Sequence, residues 1–312
     1  MSVASIIERQ ISQIRQGGRA VLFRKMKRVL GALPKLPLFI LAVPVVVVIR
    51  LIKPWLLVRW RDLRGSRIGH FAANTEMYLC ERDASINTPK LRHIDISFTT
   101  GPVCNRQLAR MWKRTLRVWP SWIMAPVFRI NRLIPGGEVH EIGNITDRDV
   151  HGLLDQYPPH LKFNPEEEAR GKVGLRKIGI PPGTRFVCLT ARDSAYLDAH
   201  MPAVDWSYHN YRDNDIQNYV LAAEELANRG YFVVRMGAKV RESIKSHHPR
   251  VIDYAVSGMR DDFMDVYLAA KCDFCISGGN GFTAVPLVFR RPIVYVNVVA
   301  FGYLCTFSTK FI

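Results

Sequence analysis

The stretch "CDFCISGGNGFTAVPLVFRRPIVYVN" (Cys272–Asn297) decides the fold class of this chain. An apolar, strand-like run stops at Ser277, and glycines then follow at positions 278, 279 and 281. A short helix-like run leads to a second apolar run that ends at Asn297. A strand, a helix and a strand in this order indicate a βαβ unit, whose two strands lie parallel in one sheet.

The same alternation extends outward from this stretch. Strand-like runs are "RFVCLTARD", "YFVVRMG" and "VIDYA", and they are accompanied by the helix-like runs "DIQNYVLAAEELANRG" and "RDDFMDVYLAAKC". In the first half, "LRHIDISFT" is a predicted strand that follows a predicted helix over residues 72–81. The pattern predicts an α/β fold with two Rossmann-like domains that face a cleft. Pro158–Arg185 is rich in proline, glycine and charge, which is typical of an inter-domain connection.

The net charge of +17 belongs mainly to the N-terminal segment. Residues 1–67 hold 14 lysines and arginines and two acids, whereas the rest of the chain holds 30 basic and 25 acidic residues. Within this segment, Leu36–Ile49 is free of charge for fourteen residues and has basic residues on both sides. A spanning helix needs roughly 20 apolar residues. Pro37, Pro44 and Pro54 also argue against one straight helix.

Basic flanks on both sides predict a segment that dips into the inner leaflet and returns, with both ends toward anionic lipid. The upstream run over residues 6–30 has the pattern of a basic amphipathic helix broken at Gly17-Gly18, which suits a membrane surface. A basic segment can also bind nucleic acid, but this one flanks an apolar block that a nucleic-acid arm lacks. We predict a membrane-associating segment at residues 1–60, on the cytoplasmic face of the inner membrane, and no nucleic-acid partner. A buried hairpin is the alternative.

The six cysteines show no disulfide framework, and most lie in or beside apolar runs. This indicates reduced, buried thiols in a chain that faces the cytoplasm. Cys272 and Cys275 have the spacing of a metal or redox pair, but no second pair or histidine stands near them in the sequence. We interpret both as core residues of a buried strand.

The residues at the ends of the predicted C-terminal strands form a consistent set. Arg192 and Asp193 follow the first strand, and Arg235 and Gly237 end the next one. The third strand ends in a loop made of Ser277, Gly278, Gly279, Asn280 and Gly281. In a parallel sheet these ends share one edge, where glycine-rich turns and arginines can bind phosphate. The set predicts a diphosphate site, with a tight structural turn as the alternative.

The stretch "YHNYRDNDIQNY" (Tyr208–Tyr219) precedes a predicted helix and would overhang the same edge. Arg212 is therefore a further candidate for binding the anion, or else it forms a surface salt bridge. Asp213-Asn214-Asp215 has the spacing of a metal-binding DxD motif, but its position before a helix fits capping as well. We predict a site without metal.

The runs "LTARDSAYL", "YHNYRDNDIQNYVLAAEELANRGYFVVRMG" and "RDDFMDVYLAAKCDFCISGGNGF" resemble a bacterial glycosyltransferase family. That family is defined mainly by automated sequence models and is linked to surface-polysaccharide genes. With "RIGHFAANTEMYL", the likeness covers roughly Arg59 to Ile312. The resemblance implies a two-domain GT-B-like architecture, with an acceptor domain at 61–165 and a nucleotide-sugar donor domain at 166–312. More distantly, "LTARD" is similar to a strand-then-arginine pattern of fucosyltransferases, which implies that Arg192 contacts the donor diphosphate. The histidine usual in that pattern is absent, and Thr190-Ala191 stand in its place.

The resemblance also implies an activity, the transfer of a hexosyl or deoxyhexosyl group from a nucleotide diphosphate sugar to a glycan or lipid-linked acceptor. Negative charge builds on the leaving phosphate, and a site without cofactor must offset it with arginines and oriented N–H groups. Inverting transfer also needs a base. His70, in a glycine-rich turn, is the first candidate, and Glu76 and Asp193 are the others.

Two other functions stay open. A nucleotide-sugar epimerase of the same shape would need no membrane segment, and a non-catalytic membrane-bound assembly protein would keep the fold without turnover. Two-domain transferases normally continue past the last strand, whereas only "VVAFGYLCTFSTKFI" follows "PIVYVN" here. We therefore expect an incomplete C-terminal end and, with it, compromised activity.

Overall fold

The computed structural model describes residues 36–143, 148–202, 204–299, 302 and 304–312, together with isolated positions between 12 and 34. The chain forms two compact units. The first consists of Met1–Arg59, Leu91–Ile94 and Trp119–Glu141, and the second of Trp60–Lys90, Asp95–Val118 and Ile142–Ile312. The second unit runs through residue 165, and the division predicted there stays a prediction. Most of the amphipathic run predicted over 6–30 lies outside the described residues.

The second unit is organised around a parallel five-stranded sheet. Its strands are β3 (Phe186–Thr190), β4 (Phe232–Arg235), β5 (Val251–Ile252), β6 (Cys275–Ser277) and β7 (Ile293–Tyr295), in the order β5-β4-β3-β6-β7. All four pairings are parallel, with Thr190 opposite Ser277 and Ser277 opposite Tyr295. This confirms the predicted α/β class with a parallel sheet. The last residues of the chain, Lys310–Ile312, hydrogen-bond to β7.

Two further strands, β1 (Leu57–Asp62) and β2 (His93–Phe98), form a separate two-stranded sheet. The hydrogen bonds from Leu57 N to Arg92 O and from Leu63 N to Phe98 O advance together along both segments, so this pair is parallel as well. Within the described part of residues 61–165, the sheet is continued beyond these two strands by a single parallel bridge from Ser97 to Val118. The second Rossmann-like domain predicted there is therefore not confirmed.

From residue 36 onward, the α-helices in the described residues are α1 (Leu36–Leu51), α2 (Thr75–Asp83), α3 (Arg106–Thr115), α4 (Ser121–Leu133), α5 (Leu153–Gln156), α6 (Pro165–Lys177), α7 (Ala195–His200), α8 (Val220–Asn228), α9 (Asp262–Lys271) and α10 (Ala284–Val288). The predicted end of α8 is confirmed, since Gly230 follows the helix with φ of 95°. The predicted cap Asp215 accepts a hydrogen bond from Gln217 N at 2.8 Å, but it begins a 3-10 turn (Ile216–Tyr219) that leads into α8.

The predicted inter-domain connection contains a regular helix, α6, and this corrects the sequence analysis. Asn164 caps it by accepting a hydrogen bond from Glu167 N at 2.8 Å, and Glu167 Oε2 accepts one from Asn164 N at 3.0 Å. The two bonds form a capping box, which satisfies N–H groups that have no partner inside the helix. The prolines and charges of this segment therefore reflect helix ends and an exposed helix face. Gly171 and Gly174 lie within the helix, where a Cβ would meet Tyr267 and Met264 of α9.

The sheet is buried on both faces, as parallel sheets are. Successive residues of β3 alternate between two core clusters, since Cys188 packs in one cluster and Val187 and Leu189 in the other. Cys272 and Cys275 are fully buried in the first cluster. Burial raises the pKa of the Cys188 and Cys275 thiols well above the ordinary value, so both stay protonated. Cys272 and Cys275 are therefore core residues, as predicted. Only Cys275 lies on a buried strand, β6, because Cys272 directly follows α9.

In the first unit, α1 packs against α4. Pro37 lies in the first turn of α1 and Pro54 beyond its end, so only Pro44 interrupts the hydrogen bonding of the helix. The helix continues past Pro44, although the prolines argued against this. In the described part of the chain, no helix is both long and apolar enough to cross a membrane.

Candidate active site at the carboxyl edge of the sheet

The chain order of the five strands creates a switch point between β3 and β6. From β3 the chain adds β4 and β5 on one side, and it then returns to add β6 and β7 on the other side. Connections that leave neighbouring strands in opposite directions open a crevice at their carboxyl ends, where α/β sheets bind ligands. Arg192 follows β3, and the Ser277–Gly281 loop follows β6. The structure thus brings these predicted residues to one place.

The Ser277–Gly281 loop is held by its own polar side chains. Ser277 Oγ lies 2.5 Å from Thr283 Oγ1 and accepts a hydrogen bond from Gly279 N at 3.1 Å. Asn280 Oδ1 accepts one from Phe282 N at 3.0 Å, and Asn280 Nδ2 donates to Thr190 Oγ1 at 2.7 Å. Asn280 therefore caps the turn after the loop and also ties it to the end of β3.

One glycine of the loop is required by its backbone conformation, and a second packs closely against side chains. Gly279 has φ of 73°, where other residues are strained, and a Cβ at Gly278 would lie 2.9 Å from Asn214 Nδ2. The N–H of Gly278 donates to Thr190 O, and those of Gly279 and Phe282 donate to side chains of the loop. These three N–H groups are engaged within the protein, so arginine side chains must carry more of any anion binding than the glycine pattern predicted.

Arg192 is nearly buried at this edge. Its Nη1 donates to His209 O at 3.0 Å and pairs with the Asp213 carboxylate. Burial lowers the pKa of Arg192 and raises the pKa of Asp213, so the loss of solvent outweighs the attraction between the two charges. The positive charge of Arg212 lowers the pKa of Arg192 further. An anion at this edge would raise the pKa of Arg192 toward its ordinary value, because an opposite charge favours the charged guanidinium.

Arg212 fastens the overhanging turn to the glycine loop, because its Nη2 donates to Gly279 O at 2.7 Å. Burial lowers the pKa of His209 in the same turn, and the charges of Arg192, Arg212 and Arg67 lower it further. Arg241 contributes a fourth positive charge, which acts on Asp213. The positive field at this edge thus comes from arginines that are far apart in the sequence.

The other predicted strand-end residues are committed to internal contacts. Arg235 is 1% exposed, and it donates to Asp253 Oδ1 at 3.1 Å and to Glu242 O at 3.0 Å. Asp193 accepts hydrogen bonds from Ala195 N at 2.9 Å and Arg241 N at 3.1 Å. A Cβ at Gly237 would lie 2.5 Å from Val240 Cγ1, so this glycine is needed for packing.

His70 lies beside the glycine loop. A Cβ on its neighbour Gly69 would lie 3.2 Å from Gly281 Cα, so the two backbones are in close contact there. His70 begins a π-helical turn (His70–Asn74) that leads into α2, and its Nδ1 lies 3.0 Å from Asn74 Oδ1. The first candidate base therefore belongs to a turn that packs against the predicted donor loop.

Glu76 lies in a separate, buried cluster. Its Oε1 accepts hydrogen bonds from Arg290 Nη2 at 2.6 Å and lies 3.0 Å from His160 Nδ1, while His160 Nε2 lies 2.9 Å from Asp83 Oδ2. Burial opposes the charged imidazolium, but contacts with Cys80, Glu76 and Asp83 outweigh it and raise the pKa of His160 to about 10. The two carboxylates of this cluster are thus paired with the two cations Arg290 and His160.

The Glu76 cluster also has the donor set of a metal site. Ligand atoms of Glu76, Cys80 and His160 lie within 4.8 Å of one another. However, the Arg290 guanidinium contacts both Glu76 Oε1 and Cys80 Sγ, at 2.6 and 3.5 Å. A cation would have to displace this guanidinium, so the residues present fit an ion-pair network better than a metal.

Sequence reasoning missed Arg67, Arg241 and His209. Arg67 lies three residues before His70, in the same glycine-rich turn. Its guanidinium stacks over Trp206, with 5.5 Å to the ring centroid, and Trp206 stacks on His209 in turn. The close pairing of aromatic residues with arginines in "YHNYR" was the signal that could have pointed to this group.

No protein-family model matches the chain, and no curated protein sequence matches it, so the family resemblance stays a prediction. The structure is similar to the ADP-heptose LPS heptosyltransferase II of E. coli, at 14% identity over 76% of this chain and 84% of the other, with a TM-score of 0.44. It is also similar to a glycosyl transferase of family 9 from Veillonella parvula, at 11% identity over 77% and 79% of the two chains, with a TM-score of 0.44. These scores are too low for either likeness to bear on the activity of this chain.

Proposed function

We propose that the protein is a glycosyltransferase that uses a nucleotide diphosphate sugar, with the donor at the carboxyl ends of β3 and β6. One observation carries the proposal, namely the surplus of arginine charge at the switch point of the sheet. Arg67, Arg192, Arg212 and Arg241 act there against Asp193, Asp198 and Asp213, so four positive charges face three negative ones. A diphosphate is the ligand class that suits two neighbouring guanidinium groups in a crevice of this kind.

Arg192 and Arg212 would act on the leaving group. Transfer builds negative charge on the diphosphate as its bond to the sugar breaks, and charges already fixed in the site stabilise that state. Arg192 is held by His209 O and Asp213, and Arg212 by Gly279 O. Both side chains are therefore positioned before a donor binds. No metal ion is required by this arrangement, and we propose transfer without a metal or other cofactor.

His70 is the preferred base for the acceptor hydroxyl. It is half-buried beside the glycine loop, and its Nδ1 contact with Asn74 orients the ring. Glu76 is fully buried and ion-paired, and Asp193 accepts two backbone hydrogen bonds. Because a base must be free to take a proton, His70 suits this role better than either carboxylate.

The acceptor would be a glycan or a lipid-linked sugar of surface-polysaccharide synthesis, at the cytoplasmic face of the inner membrane. The apolar run in α1 and the basic charge of the N-terminal segment support this location. An acceptor anchored in the bilayer would be met by a protein that binds the same surface.

The proposal is tested by thermal shift and turnover with the full chain. We expect at least one of GDP-, UDP-, ADP- and CMP-sugars to raise the melting temperature, and the free nucleotide to compete with it. Slow hydrolysis of the donor that accelerates with an acceptor would support a transferase. Rapid interconversion of the donor sugar without any acceptor would instead establish an epimerase, and no shift with any donor would establish a protein without this activity.

A further inference from the structure

Helix α1 exposes apolar side chains on most of its circumference. Eight of them are each between 43% and 67% exposed, namely Leu36, Ile40, Leu41, Val43, Val45, Val47, Val48 and Leu51. Only Ala42 and Val46 are buried, in a narrow stripe. A helix that is apolar all round is normally buried in a core or in a membrane. Such a continuous apolar surface marks a site of interaction.

The exposed tryptophans of the chain lie in the same unit. Trp55, Trp119 and Trp122 are 74%, 44% and 62% exposed, whereas Trp60, Trp112 and Trp206 are buried. Trp55 follows the end of α1, and the other two flank the start of α4. Tryptophan is enriched where a protein meets the interface between lipid and water, because its ring is apolar and its N–H is polar.

The charge of the first unit points to an anionic surface. Its three segments contain 14 lysines and arginines and three acids, Glu8, Glu138 and Glu141. Two copies of this unit would repel each other, so a second copy of the chain is a poor occupant of the apolar surface. A bilayer that contains anionic lipid offers both an apolar interior and negative headgroups.

Arg50 is the one charged residue within α1, and its side chain bonds to α4 and not to lipid. Its guanidinium donates to Asn131 O, Ile134 O and Pro135 O at 3.0, 2.9 and 2.7 Å, and to Asn131 Oδ1. These carbonyls lie at the carboxyl end of α4, where the last C=O groups have no N–H partner within the helix. The one arginine within α1 is therefore a cap for α4, and the rest of the helix surface is apolar.

We propose that α1 and α4 together form a monotopic lipid-binding surface, which lies in the headgroup and upper acyl region of an anionic bilayer. The proposal deepens the membrane location given under the proposed function, because it adds α4 and its tryptophans to a surface that the sequence confined to residues 1–60. Exposed α1 side chains contact acyl chains, and Trp55, Trp119 and Trp122 lie at the interface.

Vesicle binding of the full chain tests this surface. The probes are phosphatidylcholine vesicles with and without one quarter phosphatidylglycerol. The variants are Leu41→Glu/Val48→Glu on α1 and Trp122→Glu on α4, and the control is Leu221→Glu on α8, which is 81% exposed in the other unit. All these side chains are more than half exposed, so the substitutions leave the fold intact, as circular dichroism would verify.

We expect the wild type to bind vesicles with phosphatidylglycerol at least ten-fold more tightly than those without it. The α1 double variant should lose at least ten-fold in partition coefficient, Trp122→Glu at least three-fold, and Leu221→Glu nothing. Full binding by Trp122→Glu would remove α4 from the surface. Full binding by the double variant, or self-association through α1 without vesicle binding, would overturn the proposal. Donor binding, measured on the same samples, separates this outcome from failure of the proposed function.

Discussion

Two arginine–carboxylate clusters of the second unit use the same chemistry for different ends. In the Glu76 cluster, two acids face Arg290 and His160, and the carboxylate of Glu76 is fully buried. At the sheet edge, Arg192 pairs with Asp213, which directly follows a surface turn, and further arginines lie nearby. Apart from the exposed Arg82 beside Asp83, the first cluster is balanced in charge. The second cluster has four arginines against three aspartates and is therefore positively charged. The second cluster is therefore suited to bind an anion, whereas the first stabilises the fold.

The largest effect should come from breaking the balanced cluster. In Arg290→Met, the buried carboxylate of Glu76 loses its closest cation, and removing one partner of a buried pair costs about 3–5 kcal/mol. Urea denaturation measures the loss. The control is Arg229→Met, whose exposed pair with Glu225 is worth at most about 1 kcal/mol.

If Arg290→Met does not fold, the double variant Glu76→Gln/Arg290→Met provides a second measurement, since it leaves no buried charge without a partner. We expect it to recover part of the stability. A single variant as stable as the wild type would show that the cluster is not structural, and the contrast with the sheet edge would disappear.

At the sheet edge, Arg192→Ala should weaken binding more than it weakens the fold. Loss of a charge-assisted hydrogen bond to a diphosphate costs about 1.5–3 kcal/mol, which is roughly a 10- to 100-fold rise in Kd for the nucleotide. Titration calorimetry measures the affinity. The matched control is Arg185→Ala, because Arg185 precedes β3 at the opposite end of the strand and also pairs with an aspartate. Equal affinity of a folded Arg192→Ala variant would refute the donor site.

The pH dependence of stability distinguishes the two clusters as well. The folded-state pKa of His160 is raised to about 10, above the ordinary value of 6.5. The contribution of His160 to the free energy of unfolding is therefore fully present below about pH 6.5 and is lost as the pH rises toward 10. We expect the unfolding free energy to fall over this window in the wild type, and less so in His160→Gln. Parallel profiles of the two proteins would exclude a charged His160.

The smallest effects should come from the glycine loop. Gly279→Ala and Gly258→Ala both place a side chain at positive φ, 73° and 74°, so each should lose about 1–2 kcal/mol. Only Gly279 lies at the switch point, and only its variant should raise the Kd for the nucleotide. If both variants change the affinity alike, the loop has no special relation to the donor.

Much of the fold of the second unit could be predicted from its sequence, because buried parallel strands are continuous apolar runs bounded by turns. Cys272–Asn297 alone contained β6, the loop, α10 and β7. Helix α6 was missed because its exposed face resembles a connection, although Asn164 and Glu167 carry the capping-box spacing. The strand order depends on which edge β6 joins, and local patterns hold no information on that choice.

The candidate site was predicted in part. Arg192 and the Ser277–Gly281 loop follow strands and therefore had to share an edge if the sheet was parallel. Glu76 was a candidate base six positions after His70 in the sequence, yet α2 carries its side chain into the core beside Arg290. Arg67 and Arg241 reach the site through tertiary contacts, which a single sequence does not reveal.

The Arg50 cap has a consequence for the order in which the protein is made. The acceptors of its guanidinium begin 81 residues later in the chain. At synthesis rates of about 5–20 residues per second, roughly 4–16 s pass between the synthesis of Arg50 and that of its acceptors on α4. During that interval, the residues of helices α2 and α3 of the other unit are also synthesised. The apolar helix is thus a nascent segment without its partner, and a chaperone or the bilayer itself has time to reach it first.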